Sequence, residues 1–465
     1  MVRKFRKDFK TCYKTPIKDI MLPFERFISN ESSSSVILIS SVLLAIILAN
    51  SPWSKDYFSF FDAEFVIGFG DFILSKPLLL WINDGLMAIF FFLVGLEIKR
   101  ELLTGELCEY ELVKLPFFAA LGGMIVPISL FVLFNFAEAN IIGWAIPMAT
   151  DIAMVLGLLA IFGKRVPVYL KIFFTSMAII DDIGSILVIA IFFSDSIKFE
   201  YLLLALIFVI ILFLMNRLAI RKSYLYIIIG VMLWFVLLKS GIHATLGGII
   251  LALMIPATKR LDLHEFRVLM RSISNTLTYD DPSHDPFVSP ETYLASIQTL
   301  EQGCHDIQPP LHRLEYSLTS IVLYLIIPLF AFANSGLVLD SFELSSLFSS
   351  LTVGIIVGLV IGKPLGMTLF VWIAVKKGLT KIPDEINWKM LNAMTWISGV
   401  GFTMSFFIST LAFNDPGIIL NAKISILLAS TIAAVIGLVL LSKTLPREDK
   451  EKEKDKYENY KDFFE

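Results

Sequence analysis

The chain is poor in the residues that hold metals and disulfides. It has three cysteines and five histidines in 465 residues. Cys12, Cys108 and Cys304 lie in or near hydrophilic segments with no CxxC or other ligand spacing, so disulfide and zinc readings have no support. His284, Cys304, His305 and His312 are joined by no helical ligand spacing and read as solvated loop residues. Charge is also scarce: 17% of residues are Asp, Glu, Lys or Arg, with a formal net charge of −3. No cofactor and no nucleic-acid partner are expected. Residues 1–30 are basic and polar, and lack the apolar core and small-residue cleavage pattern of a signal peptide; they read as a cytoplasmic tail.

What the chain has is hydrocarbon. It is 56% hydrophobic with mean hydropathy +0.75, and its apolar residues come in runs of about 20, the length that crosses about 30 Å of bilayer core. The expected fold is an all-α polytopic membrane protein with about twelve spans, near residues 33–50, 78–96, 115–135, 141–162, 168–194, 200–216, 223–238, 242–256, 316–334, 349–375, 390–413 and 417–441. Lys and Arg concentrate after every second span, as at Lys99, Arg100 and Lys114, at Arg217, Arg221 and Lys222, and at Lys376, Lys377 and Lys381. Cationic loops stay inside, so both termini are expected in the cytoplasm. Three parts follow: the tail 1–30, a membrane domain 31–442, and a mixed-charge cytoplasmic tail 443–465. Two stretches of the membrane domain are too polar to span. Residues 51–77 suit an external hairpin bent at Gly68-Phe69-Gly70, and residues 257–314 read as a long cytoplasmic loop.

Charges inside the apolar runs carry the chemistry. Asp181 and Asp182 lie about halfway along the run from Val168 to Phe193, and Asp151 sits near the middle of the span before it. An intramembrane carboxylate is costly and faces a partner or a wet cavity. Neighbours on a helix point about 100° apart, so Asp181 and Asp182 cannot share one face: one can line an ion pathway while the other meets a counter-charge. Thr150 offers a neutral oxygen beside Asp151, and Pro147 removes a helical hydrogen bond there, freeing carbonyls that are tolerated only where they line a cavity. The one deep cation of the second half is Lys363, followed by Pro364 and flanked by Gly362 and Gly366; its best anions are Asp181 and Asp182. Ser398-Gly399-Val400-Gly401-Phe402-Thr403 weakens span eleven at its middle. Spans four and eleven are thus interrupted at corresponding places in two triplets of opposite entry, the pattern of an inverted-repeat transporter with its site at the midplane.

On these residues the chain resembles the NhaA family of sodium/proton antiporters. The matching stretches are Trp81–Met87, Val94–Leu102, Pro147–Ala153, Ile179–Gly184, Ser240–Thr245, Pro328–Asn334, Ile361–Gly366 and Gly399–Ser405, spread between about residues 30 and 442. The resemblance implies that Asp181 and Asp182 are the paired ion-binding and proton-carrying aspartates. It places Asp151 and Thr150 in an unwound part of helix four and makes Lys363 the partner of the first aspartate. Pro147, Gly399 and Gly401 belong to the interrupted backbones. Glu97, Arg100, Glu101 and Glu315 match a cytoplasmic-mouth cluster linked to pH response; His243 and Asp84 match residues near outer helix ends, and His243 is a further candidate for pH response. The loop 257–314 is longer than in the best-known members.

The expected activity is exchange of sodium or lithium for protons in the inner membrane of a bacterium, by competition for Asp181, Asp182 and Asp151, with Thr150 and freed carbonyls as further oxygen ligands of the sodium; the resemblance implies that the protons outnumber the sodium, so that the exchange is electrogenic. A homodimer through the hairpin near residues 54–75 is expected partly from the family. Two other functions fit the sequence less well. Gly68-Phe69-Gly70-Asp71 fits the GxGD pattern of an intramembrane aspartyl protease, but Asp71 lies in a polar stretch and no Pro-Ala-Leu element follows. A sodium-coupled symporter would need a roomier pocket for an organic solute.

Overall fold

The computed structural model describes residues 33–69, 72–194, 198–259, 261–278, 290–338, 344–383 and 385–445. The tail 1–30, Gly70 and Asp71, His284, and the tail beyond residue 445 lie outside the described residues.

The helices are α1 (Ser33–Ala49), α2 (Ser54–Asp62), α3 (Leu78–Thr104), α4 (Tyr110–Asn135), α5 (Ile152–Ala160), α6 (Val168–Phe192), α7 (Phe199–Arg217) and α8 (Ser223–Ser240). They continue with α9 (Thr245–Met254), α10 (Leu263–Thr278), α11 (Pro290–Ile307), α12 (Pro310–Asn334), α13 (Ser350–Lys376), α14 (Trp388–Ile397), α15 (Phe402–Ala412) and α16 (Pro416–Thr444). A 3-10 helix, Ala139–Met148, precedes α5. Strands β1 (Glu64–Phe69) and β2 (Phe72–Pro77) make one antiparallel hairpin.

Among the described residues nine helices are long and apolar enough to cross a membrane, and eleven if each of two bent pairs is one span. The expected twelfth, residues 242–256, contains only the ten-residue α9, about 15 Å of helix at 1.5 Å per residue. Helix α7 shows what surrounds the protein: only 11% of its apolar window is buried, and Leu203, Ile207, Ile210 and Leu214 are exposed. A helix apolar on its outer face suits lipid rather than water.

The chain divides into two units. One comprises Met1–Ser59, Lys114–Asp181 and Ala331–Glu465, and so contains α1, α4, the 3-10 helix with α5, α6 as far as Asp181, and α13 to α16. Apolar side chains gain little by leaving lipid for one another, so close backbone approach and interhelical hydrogen bonds hold such helices. Helices α4 and α13 meet at Gly122 and Gly366, where a Cβ on either would fall on the other's carbonyl. Helix α1 donates from Ser35 Oγ to the Ala153 carbonyl of α5, 3.1 Å. Asp415 caps α16, accepting from Gly417 N and Ile418 N, with Pro416 at the first helical position where no amide is needed.

The other unit comprises Phe60–Val113 and Asp182–Phe330. Its core is formed by α3, α8 and α9 through Phe92, Leu96, Leu233, Leu237, Leu251 and Ala252. The hairpin pairs from Glu64↔Pro77 to Phe69↔Phe72, and Trp81 Nε1 donates to the Phe65 carbonyl, 3.0 Å. Two expectations change. Of the expected bend Gly68-Phe69-Gly70, Gly68 and Phe69 belong to β1, opposite Ile73 and Phe72, and Gly70 lies outside the described residues; residues 54–62 are helical. The stretch 257–314 is not a plain loop: it contains α10 and α11, which pack on each other, Leu269 and Phe266 lying against Gly303. Their apolar residues stand at helical spacing on one face only, too few for a span and enough for a helical pair.

The crossing of the interrupted helices

The 3-10 helix ends at Met148, residues 149–151 are non-helical with Ala149 and Asp151 extended, and α5 begins at Ile152. Pro147 marks the break, its ring lying where a Cβ on Gly358 would sit. In the second interrupted span α14 ends at Ile397 and α15 begins at Phe402, with a 46° bend between them. The two breaks meet. Asp151 N donates to the Val400 carbonyl, 2.8 Å, and Ser405 Oγ donates to the Ile146 carbonyl, 2.9 Å. Gly401 permits this approach, because a Cβ there would lie 3.0 Å from the Ala149 carbonyl oxygen; one on Gly399 would lie 2.6 Å from that of Leu359.

Asp151 ties the crossing. Its Oδ1 accepts from Met154 N, 2.9 Å, capping α5, and its Oδ2 accepts from Thr403 N, 3.0 Å, and Thr403 Oγ1, 2.6 Å, at the start of α15. One carboxylate therefore faces the positive ends of two helices. The opposite end is served by Lys363, which follows a π-helical turn at Gly358–Gly362 and donates to the Met148 carbonyl, the negative end of the 3-10 helix.

Lys363 also pairs with Asp181, Nζ to Oδ2 3.0 Å, and both side chains are 0% exposed. The same Oδ2 accepts from Thr150 Oγ1, 2.6 Å. Asp181 Oδ1 is buried with no hydrogen-bond partner among the described residues. Asp182, next on α6, is 2% exposed. A carboxylate with one oxygen held and the other unclaimed, beside a second buried carboxylate and a lysine, can take up a small cation or a proton.

Comparison with known proteins decides between the readings. The Na+/H+ antiporter 1 family model matches residues 25–441. The chain is 43% identical over 437 residues to the Na+/H+ antiporter NhaA of Oleidesulfovibrio alaskensis, covering 94% of this chain and 97% of that one. It is 43% identical over 438 residues to that of Koribacter versatilis, covering 93% and 94%, and 43% identical over 424 residues to that of Yersinia enterocolitica, covering 90% and 97%. The chain belongs to the NhaA family. It is a multi-pass membrane protein that exchanges Na+ for H+, a secondary transporter and not an enzyme.

In this NhaA-family chain the expected cluster at the end of α3 is partly assembled. Arg100 bridges Glu101, Nη2 to Oε1 2.8 Å, and Glu315, Nε to Oε1 2.8 Å. Glu97 stands one turn earlier on the same helix. His312, read from the sequence as a solvated loop residue, lies 4.0 Å from Glu315. His243 is not in this cluster. It precedes α9, with Nδ1 2.7 Å from Thr245 Oγ1, whereas the far end of α9 receives Lys99, which donates to the Leu253 and Ile255 carbonyls. Asp84 pairs with Lys76, 2.9 Å. Sequence reasoning missed Thr403 as a partner of Asp151 and the Met148 carbonyl as a partner of Lys363. The first had a signal, a hydroxyl just after the Gly399-Val400-Gly401 break; the second is a backbone atom and had none.

Proposed function

We propose that sodium and protons compete for Asp181 and Asp182, with Thr150 as a neutral oxygen beside them and Lys363 as the charge partner released when sodium takes its place. The observation that carries this reading is the division of labour on Asp181: Oδ2 holds Lys363 and Thr150, while Oδ1 is buried with no hydrogen-bond partner among the described residues. A hard monovalent cation takes oxygen ligands, carboxylates above all. Asp151, whose oxygens already accept three hydrogen bonds, serves in this reading to hold the crossing, as do Pro147, Gly399 and Gly401.

Two carboxylates and a lysine provide enough groups for protons to outnumber the sodium; that excess, which makes the exchange electrogenic, and the export of sodium or lithium driven by proton entry follow from the resemblance to the family. The Arg100, Glu101 and Glu315 network, with Glu97 beside it, is the place where pH acts on the transport cycle. The Lys and Arg alternation of the loops supports cytoplasmic termini in a bacterial inner membrane. The hairpin supports a homodimer.

The test is sodium-induced dequenching of a pH-gradient dye in everted vesicles. Asp182→Asn should abolish the signal at normal expression, because an amide releases no proton and is a weaker sodium ligand. Substantial exchange in that variant would remove Asp182 from the site.

A further inference from the structure

Helix α6 carries a second unclaimed oxygen. Ser185 is 1% exposed, and its Oγ has no hydrogen-bond partner among the described residues. Serine and threonine inside apolar helices commonly turn their hydroxyl onto the carbonyl four residues back. Thr175 on the same helix does so, 3.0 Å to Lys171 O, as do Ser129 on α4, Thr319 on α12 and Thr431 on α16. Ser185 does not. Buried side-chain atoms without a hydrogen-bond partner are few among the described residues, and two of them, Asp181 Oδ1 and Ser185 Oγ, stand one turn apart on one helix.

The helix geometry places Ser185 with respect to both aspartates. At about 100° per residue, Asp182 points about 100° from Asp181, while Ser185, four residues on, points about 40° from Asp181 and about 60° from Asp182. It therefore lies in the sector the two carboxylates enclose, displaced along the axis by about 6 Å from Asp181 and about 4.5 Å from Asp182. Side chains at these spacings are neighbours on the helix surface.

We infer that the Ser185 hydroxyl is a further ligand of the transported sodium, an inference that rests on the reading above that sodium binds at Asp181 and Asp182. A hydroxyl offers lone pairs to a cation and gives up no proton in the physiological range. It strengthens sodium binding without adding to the protons that sodium displaces. That separates it from the aspartates, which do both, and from a residue that only fills space, which does neither.

The experiment measures the sodium KM of exchange across a pH series in everted vesicles for wild type, Ser185→Ala, Ser185→Thr and Asp182→Asn. Ser185→Ala should raise the KM by about tenfold at every pH, the size expected for one lost contact to a charged group. The plot of log KM against pH should run parallel to wild type, with maximal rate retained. Ser185→Thr, which keeps the hydroxyl, should return the KM to near wild type. An unchanged KM in Ser185→Ala overturns the inference, and so does a raised KM that Ser185→Thr shares, or one accompanied by a changed slope. Asp182→Asn tests the underlying reading separately. Exchange that survives there removes Asp182 from the site; loss of exchange there with an unchanged KM in Ser185→Ala removes Ser185 alone.

Discussion

A buried carboxylate has two oxygens to satisfy, and Asp181 satisfies them unequally. The Lys363 and Thr150 bonds on Oδ2 fix the side chain, and with it Oδ1, which has no hydrogen-bond partner among the described residues. For the same reason the lysine depends on the aspartate: Lys363 has the Asp181 carboxylate and the Met148 carbonyl as its described hydrogen-bond acceptors. Breaking a buried ion pair by removing one partner costs about 3–5 kcal/mol, whereas removing both charges costs far less. Asp181→Asn should therefore lower the melting temperature of the purified protein in detergent, and the double variant Asp181→Asn with Lys363→Met should recover part of the loss. Equal melting temperatures for Asp181→Asn and wild type would show that the pair contributes nothing to the fold.

The interruption of a helix inside a membrane leaves end charges of about half a unit facing hydrocarbon unless something opposes them. Here Asp151 opposes the starts of α5 and α15, and Lys363 opposes the end of the 3-10 helix. The breaks themselves were legible in the sequence, because Pro147 and the Gly399-Val400-Gly401 run mark positions where a helix cannot continue cheaply. Their mutual contact was not legible in detail: Thr403 is 252 residues from Asp151, and nothing local distinguishes its hydroxyl from any other. The polar connection 257–314 has the sequence character of a loop because helices outside the membrane need only one apolar face and so show no long apolar run. The hairpin was legible as an element. Its two strands leave two unpaired edges, and pairing with a second copy would cover one of them. Deletion of residues 56–72 should give monomers that still exchange sodium for protons. Crosslinking that still traps a dimer at wild-type yield would reject this interface.

At the scale of the whole molecule, the proposed sharing of the same groups by both ions makes transport depend on pH through competition even before any separate sensor acts. Sodium that binds a protonated carboxylate displaces its proton, and a ligand site that must lose protons to bind has an affinity that falls as pH falls. Each proton displaced per sodium shifts the apparent sodium KM by about tenfold per pH unit while the group is protonated, and the KM levels off once the group is ionised. A slope near one means that one proton leaves on binding; a slope approaching two means that a second group titrates with Asp182. Lys363 is the group whose geometry fits that role, since its bond to Asp181 Oδ2 must weaken as sodium claims the carboxylate. If the lysine carries the second proton, Lys363→Ala should reduce the slope and remove the dependence of transport on membrane potential. A slope and potential dependence unchanged in Lys363→Ala would place the second proton on Asp181 or Asp151 instead. A sodium KM that stays flat between about pH 6 and 9, in wild-type protein shown to be folded, would defeat competition at the aspartates altogether.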